Sequence, residues 1–386
     1  MPWNETCCVS ERMKLVADYL EGRASMSALC MHYGVSRRVA YKWVARFREE
    51  GVDGLKDRSR APNHSPHKLS ADMVNALVKA KKQHPCWGPK KIVAWLETKE
   101  PSRQWPAPST AARWLERYGL VERRRARAKT PPFSAPLAHA SEPNDVWCAD
   151  YKGPFKTLDD VYCYPLTLSD ANSRYLLACR GLPDTRARNA RPWFDRAFSR
   201  YGLPRAIRTD NGPPFVSKAP LGLSHLSVWW HELGIRHERI APGHPEQNGR
   251  HERMHLTLKL ETARPPARDM TSQQRRFDVF VDEFNRERPH EALGMMPPSV
   301  KYTPSPRQLP SQTPDFQYPA DYRVRTVHEN GRFRWPGRHV ILVGAPLAGK
   351  HVGCKQIDDL LWEVYWRKLL LGYIDVTRIE AGLLKL

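Results

Sequence analysis

The segment from Ala206 to Arg253 constrains this chain more than any other. Ala206-Ile207-Arg208 reads as a short buried strand, and Thr209-Asp210-Asn211-Gly212 turns the chain just past its end. His244-Pro245-Glu246-Gln247-Asn248-Gly249 then opens a helix, because proline suits the first helical position. Glu246 falls in the first turn, where the helix dipole favours an ionised carboxylate. Gly249 inside that helix costs about 1 kcal/mol relative to alanine, which is tolerable where something must approach the backbone closely. A third carboxylate, Asp150, ends the strand-like run Asp145-Val146-Trp147-Cys148-Ala149-Asp150, with Val146 and Cys148 on its face by the period of two.

Each of these acids is ordinary alone, as a cap or a solvated charge. Together, with 35 residues between Asp210 and Glu246, they suggest a cluster of oxygen ligands for Mg²⁺. A pair of such ions can clamp the attacking and leaving oxygens of an in-line phosphoryl displacement. Arg253 lies seven residues after Glu246 on the same helix face, where it could reach a phosphate; alone it reads as a solvated charge.

Asp150, the Thr209–Gly212 turn and the Glu246–Gly249 helix start resemble the D,D(35)E core of bacterial insertion-sequence transposases and retroviral integrases. The basic residue seven after the glutamate, Arg253, also matches. Asn285-Arg286-Glu287-Arg288-Pro289-His290-Glu291-Ala292-Leu293-Gly294, with Pro297-Pro298 and Tyr302, is similar to the segment ending that core in single-reading-frame transposases. The resemblance implies a ribonuclease-H-like fold in which Asp150, Asp210 and Glu246 hold two Mg²⁺ ions, with Mn²⁺ as a substitute. Asn211, Gly212, Asn248 and Gly249 would support them. It implies cleavage at terminal inverted repeats followed by strand transfer into target DNA. It also implies at least a homodimer on double-stranded DNA and a cytoplasmic, nucleoid-associated bacterial setting.

Charge agrees with a polyanionic partner: 62 Lys and Arg against 41 Asp and Glu give +21 over 386 residues. The cations are spread over several segments, which disfavours a membrane surface. Mean hydropathy is −0.63, and no apolar run approaches the ~20 residues of a span. The start, Met1-Pro2-Trp3-Asn4-Glu5, lacks the form of a secretion signal. The eight cysteines form no disulfide framework, consistent with a reducing compartment. His64 and His67 have ligand-like spacing, but only Cys86 follows nearby, so no N-terminal zinc module is expected.

Residues 1–60 read as a helix-turn-helix domain. Leu15, Val16, Tyr19 and Leu20 recur at helical spacing, and a second helix runs from about Ser25 to His32. Gly34 turns the chain, Ser36 caps, and Val39, Trp43, Val44 and Phe47 form the apolar stripe of a third helix. Arg37, Arg38, Tyr41, Lys42 and Arg46 remain for the outer face, as a major-groove helix needs; a merely structural basic bundle is the alternative. Residues 61–120 read as a second such unit. Ser70 opens its first helix, Pro89 its second and Ser109 caps its third, leaving Thr110, Arg113 and Arg117 as candidate contacts. Residues 121–143 form a Pro-containing basic linker in which Arg123, Arg124 and Arg125 would track phosphates without sequence preference.

The core, 144–303, alternates strands and helices after three early strands, indicating an α/β domain with a mixed sheet. Trp229 and Trp230 read as core packing. Residues 316–386 read as a small antiparallel β domain, SH3-like by analogy with integrases. Asn330-Gly331 is a hairpin signal, and Trp362, Val364 and Trp366 alternate with polar neighbours. Gly344-Ala345-Pro346-Leu347-Ala348-Gly349-Lys350 matches a phosphate-binding loop up to its lysine, but His351 replaces the required hydroxyl and no helix pattern follows. ATP binding is rejected. The reading is therefore a multidomain DNA transposase, with a silent DNA-binding regulator or a plain ribonuclease-H-like nuclease as the alternatives.

Overall fold

A computed structural model describes residues 7–59, 69–121, 139–241 and 249–384. The chain divides into two compact units, 1–68 and 69–386. The linker arginines Arg123, Arg124 and Arg125 lie outside the described residues, as do His64, His67, Glu246 and Asn248.

Among its described residues the first unit holds the α-helices α1 (Cys8–Leu20), α2 (Met26–His32) and α3 (Arg37–Glu50). Ser25 and Ser36 cap α2 and α3 by accepting the N–H groups of Ala28 and Val39 at 3.3 and 3.4 Å. Gly34, at φ +63°, makes the turn between them. Leu15, Val16, Met26, Cys30, Trp43, Val44 and Leu55 form one small core. Val39, expected in the stripe of α3, is exposed, and Ala40 is fully buried instead. Ala40, Trp43, Val44 and Phe47 follow the i, i+3, i+4, i+7 spacing that a single helix face requires, and Val39 lies one position off it.

The second unit opens with α4 (Ala71–Gln83), α5 (Pro89–Lys99) and α6 (Pro108–Arg117) around Leu77, Trp87, Ile92, Val93, Ala111 and Leu115. Ser70, read as the opening of this helix, is its N-cap. Ser109 does not cap α6: the helix starts at Pro108 behind Ala107, which offers no side-chain bond. Proline's fixed φ and missing N–H make it the better first residue, which moves Ser109 into the first turn.

The central sheet contains β1 (Val146–Tyr151), β2 (Phe155–Lys156), β3 (Tyr162–Asp170), β4 (Leu176–Leu182), β5 (Ala206–Thr209) and β6 (Arg236–Arg239). Its order is β2-β3-β1-β5-β6, with β4 also on β3. The β1–β3 and β3–β4 pairs are antiparallel, whereas β1–β5 and β5–β6 are parallel. The helices α7 (Ala187–Tyr201) and α8 (His225–Glu232) cover one face, burying Trp147, Leu166, Phe194, Phe198, Trp229 and Trp230. On the other face α9 (Gly249–Thr262) and α10 (Met270–Arg286) bury Cys163, Cys179, Met254, Leu258 and Phe277. This is a ribonuclease-H-like α/β core with a mixed sheet. The core tail continues through the short α11 (Pro298–Lys301), after which Tyr302 stacks on Tyr175 at 4.4 Å and donates to Asn144 Oδ1 at 3.0 Å.

α10 also fastens the preceding bundle. His84, at the end of α4, lies 2.7 Å from Glu283 through Nδ1, and Trp95 Nε1 donates to Glu287 at 3.2 Å. Lys99 adds an ion pair to Glu287 at 3.6 Å.

The C-terminal strands are β7 (Tyr322–Thr326), β8 (Arg332–Trp335), β9 (His339–Leu342), β10 (His351–Gln356), β11 (Leu361–Trp366) and β12 (Leu369–Asp375). They form a four-stranded antiparallel sheet, β12-β11-β10-β7, and a separate β8–β9 pair around one apolar core. Trp362, Val364 and Trp366 point inward as expected. Asn330-Gly331 does make a tight turn, closed by His328 N–H to Arg332 O at 2.7 Å. The strands it joins nevertheless belong to different sheets, because β7 pairs β10 and β8 pairs β9.

Candidate active site

Topology brings two of the three expected carboxylates together. β1 and β5 run parallel as neighbours, with Cys148 beside Arg208. Two residues further on, Asp150 near the end of β1 and Asp210 just past β5 come to the same end of the two strands. Asp210 Oδ1 accepts the Gly212 N–H at 3.2 Å, and Asn211 Nδ2 ties the turn to Ile240 O at 3.0 Å. A Cβ on residue 212 would stand 3.1 Å from Asp210 Oδ2, so glycine keeps that carboxylate clear. Burial pushes the Asp210 carboxyl above its ordinary pKa, and among the described residues the Gly212 amide opposes that shift. A desolvated carboxylate with so little compensation suits a bound cation. Gly249 opens α9, and among the described residues nothing lies within 4 Å of a Cβ placed there.

Beneath each carboxylate lies a threonine–histidine pair. Thr209 Oγ1 donates to the Asp210 carbonyl at 2.8 Å and meets His237 Nε2 at 2.9 Å. Thr167, directly across from Asp150 on β3, donates to the Asp150 carbonyl at 3.1 Å. Its hydroxyl also meets His251 Nε2 at 2.6 Å and His255 Nε2 at 2.8 Å. A hydroxyl has one proton, so both imidazoles must be the donors at Nε2, leaving each Nδ1 as a lone pair. His251 Nδ1 lies 3.3 Å from Ser169 Oγ, and His255 Nδ1 lies 3.9 Å from Asp150 Oδ2. Burial holds all three histidines neutral, with pKa values lowered to about 3 for His237, about 4 for His251 and about 2 for His255.

A cavity of about 660 Å³ opens beside this group, between α5, β1 and α9. Lys90, Lys91, Arg174 and Arg253 line it together with Met254 and Phe284. Burial lowers Lys91 to about 8, with Arg288 and Arg253 adding to the effect. Its cations outnumber its acids, Asp170 and Glu291, and Cys148 of β1, two residues before Asp150, forms part of its wall.

The other expected contacts fall on accessible helix faces. Arg37, Arg38, Tyr41 and Lys42 are exposed along α3, while Arg46 is half-buried with its guanidinium 5.1 Å from the Trp43 ring. On α6, Arg113 and Arg117 are exposed and Thr110 is half-buried. Lys350, the lysine of the rejected phosphate-loop pattern, pairs with Glu232 at 2.6 Å, and the strand β10 follows it rather than a helix.

Family comparisons match these parts. An integrase core domain matches residues 140–245 and again 233–298. A helix-turn-helix domain matches residues 11–63, and a homeodomain-like domain matches 39–115. The chain carries an integrase core domain together with helix-turn-helix domains. That composition is consistent with a DDE-type insertion-sequence transposase, and it implies DNA binding. Among curated relatives, an uncharacterized 39.2 kDa protein of insertion element IS476 from Xanthomonas euvesicatoria is 31% identical, over 48% of this chain and 53% of that protein. An uncharacterized 31.7 kDa protein of insertion element IS407 from Burkholderia multivorans is 29% identical, over 46% of this chain and 62% of that protein. The chain therefore spans between about half and three-fifths of the length of these relatives. The simian T-cell lymphotropic virus intasome structure shows 18% identity and a TM-score of 0.38, covering 72% of this chain and 97% of that one.

Within the integrase core, two functions of sequence became visible only in three dimensions. Asn285, part of the motif that ends the core, accepts the Leu176 N–H at 2.8 Å and donates to the Leu176 carbonyl at 2.9 Å. Its neighbour Arg288 is buried against Glu261 at 2.7 Å. The second is His251-Glu252-Arg253-Met254-His255, a His-Glu-x-x-His pattern that places two imidazoles on one helix face. That spacing was the available signal for the histidine cluster. Glu252 is exposed rather than turned in with the two imidazoles, so the pattern lacks the inward glutamate of a peptidase.

Proposed function

We propose that this protein is a DNA transposase that cuts at the terminal inverted repeats of an insertion sequence and joins the ends to target DNA. The observation that carries this reading is the pair Asp150 and Asp210 at the same end of two parallel strands in an integrase-type core. Asp150, Asp210 and Glu246 would hold divalent magnesium, which supplies charge stabilisation to the attacking and leaving oxygens of the phosphodiester. The Gly212 N–H holds the Asp210 carboxylate over its turn, and Asn211 ties that turn to Ile240. Lys90, Lys91 and Arg253 draw the phosphate backbone into the cationic recess, and Thr167 and Thr209 fix the strand ends from below. The exposed cations of α3 and α6 grip the end sequence, and the carboxylates of the core carry the chemistry. Two ends must be brought to one target, which calls for at least two copies of the chain.

The test uses a supercoiled plasmid carrying this reading frame with its flanking DNA. With Mg²⁺ the full chain should nick at the element boundary and join the released 3′ ends to other DNA. Asp150→Asn, Asp210→Asn and Glu246→Gln should each abolish nicking while binding to the boundary fragment persists. Binding without nicking by the unaltered chain would favour a regulator, and nicking without joining a nuclease. Wild-type rates in any of the three variants would refute the assignment.

A further inference from the structure

We propose that Asp150, His251 and His255 form a mixed nitrogen–oxygen site for a transition-metal ion of the zinc or cobalt(II) class, and that filling it inhibits magnesium-dependent chemistry. The proposal rests in part on the reading of Asp150 as a magnesium ligand. Four observations support it. One nitrogen of each imidazole and a carboxylate oxygen of Asp150 lie within 4.8 Å of one another. The two histidines stand four apart on α9, the spacing by which one helix presents two imidazoles to a single ion. Both are almost wholly buried, 3% and 7% exposed, so their orientations are fixed before any ion arrives. Thr167 accepts both Nε2–H groups, which is the outer-partner arrangement that holds a ligating histidine in one tautomer.

Distances set how much the site must close. Ligand atoms around a tetrahedral ion with bonds of about 2.0–2.1 Å stand about 3.4 Å apart. The His255 Nδ1–Asp150 Oδ2 pair, at 3.9 Å, needs about half an ångström, within reach of a carboxylate rotation. His251 moves further, giving up its 3.3 Å contact with Ser169. Magnesium prefers oxygen ligands and retains waters, so this dry pair of imidazoles selects against it. Binding here draws the Asp150 carboxylate toward α9 and away from the Asp210 side, which is how a softer ion would compete.

The test uses the full chain stripped of metal and titrated with Co²⁺, whose visible d–d absorption reports nitrogen ligation without any DNA present. One Co²⁺ should develop a band that Zn²⁺ displaces and Mg²⁺ does not. His255→Asn and His251→Asn should each weaken that band's affinity by more than about 100-fold. Thr167→Val, which removes only the outer partner, should weaken it by about 10–100-fold. Thermal unfolding of each variant shows that the fold is kept. A band and affinity unchanged in folded His255→Asn and His251→Asn proteins would overturn the site. Separately, stoichiometric Zn²⁺ should slow magnesium-dependent plasmid nicking by the unaltered chain and not by His255→Asn. Zn²⁺ inhibition that survives this substitution would overturn the inhibitory role. If the chain nicks no DNA at all while the Co²⁺ band still depends on both histidines, the transposase reading fails and the metal site stands.

Discussion

Replacing Asn285 by alanine should destabilise the core far more than its small size suggests. The side chain is 2% exposed and makes two bonds to the backbone of Leu176, itself fully buried at the start of β4. Among the named strands β4 pairs only with β3, so Asn285 does the work of a further strand at that point. Alanine leaves one N–H and one carbonyl in a dry place, each costing about 1–3 kcal/mol, or about 2–6 kcal/mol together. Melting should fall by at least about 4 °C, taking about 2 °C per kcal/mol for a large unit. Asn285→Asp should be no better, because it keeps an acceptor for the N–H but turns a second acceptor toward the Leu176 carbonyl. Differential scanning calorimetry gives the shift, and hydrogen exchange at the Leu176 amide localises it. A fall of less than about 1 °C in Asn285→Ala, with Leu176 still protected, would refute the reasoning.

Acid should destabilise the second unit. His231, His237, His251, His255 and His290 are held neutral by burial, with pKa values lowered to about 4, 3, 4, 2 and 3. The unfolded chain takes up protons below about 6.5 while the folded one does not, so stability is full above that pH and falls as pH drops toward 4. A urea midpoint equal at pH 7.5 and pH 5.5 would contradict this. Lys350→Met should loosen the C-terminal domain by about 1–3 kcal/mol, because Glu232, only 8% exposed, loses its partner; limited proteolysis between residues 303 and 322 should quicken. Arg38→Ala and Lys42→Ala should lower binding to the boundary fragment. Where the lost contact is a phosphate, the salt dependence should become shallower by about one unit per residue; unchanged binding in both would remove α3 from the interface.

The sequence made some of this architecture legible and concealed the rest for physical reasons. The cap at Ser36 and the helix starts near Ser25 and Ser70 could be read because a hydroxyl before an apolar run has one good use. Ser109 misled because Pro108 competes for the same helix start. The strand pattern of β1, β3, β4 and β5 was readable from apolar runs, whereas the gathering of Asp150 and Asp210 was implied only by the resemblance, because apolar runs do not say that β1 and β5 pair. The partner of Asn285 was not, since its bonds run to a backbone 109 residues away. The Asn330-Gly331 turn was right locally and wrong about pairing, because a turn fixes the chain direction but not which sheet each strand joins. The His251–His255 pair was hidden by its surroundings: a helix rich in charge draws attention to the cations outside rather than the imidazoles beneath.

The fastening of His84, Trp95 and Lys99 to Glu283 and Glu287 gives the second helical bundle a different meaning from a tethered arm. A duplex gripped through Arg113 and Arg117 on α6 would be held at a set distance from Asp150, by protein that does not stretch. The bundle then works as a ruler. Inserting two or three base pairs between the sequence it grips and the element boundary should shift the cut by the same number, rather than leave it at the boundary.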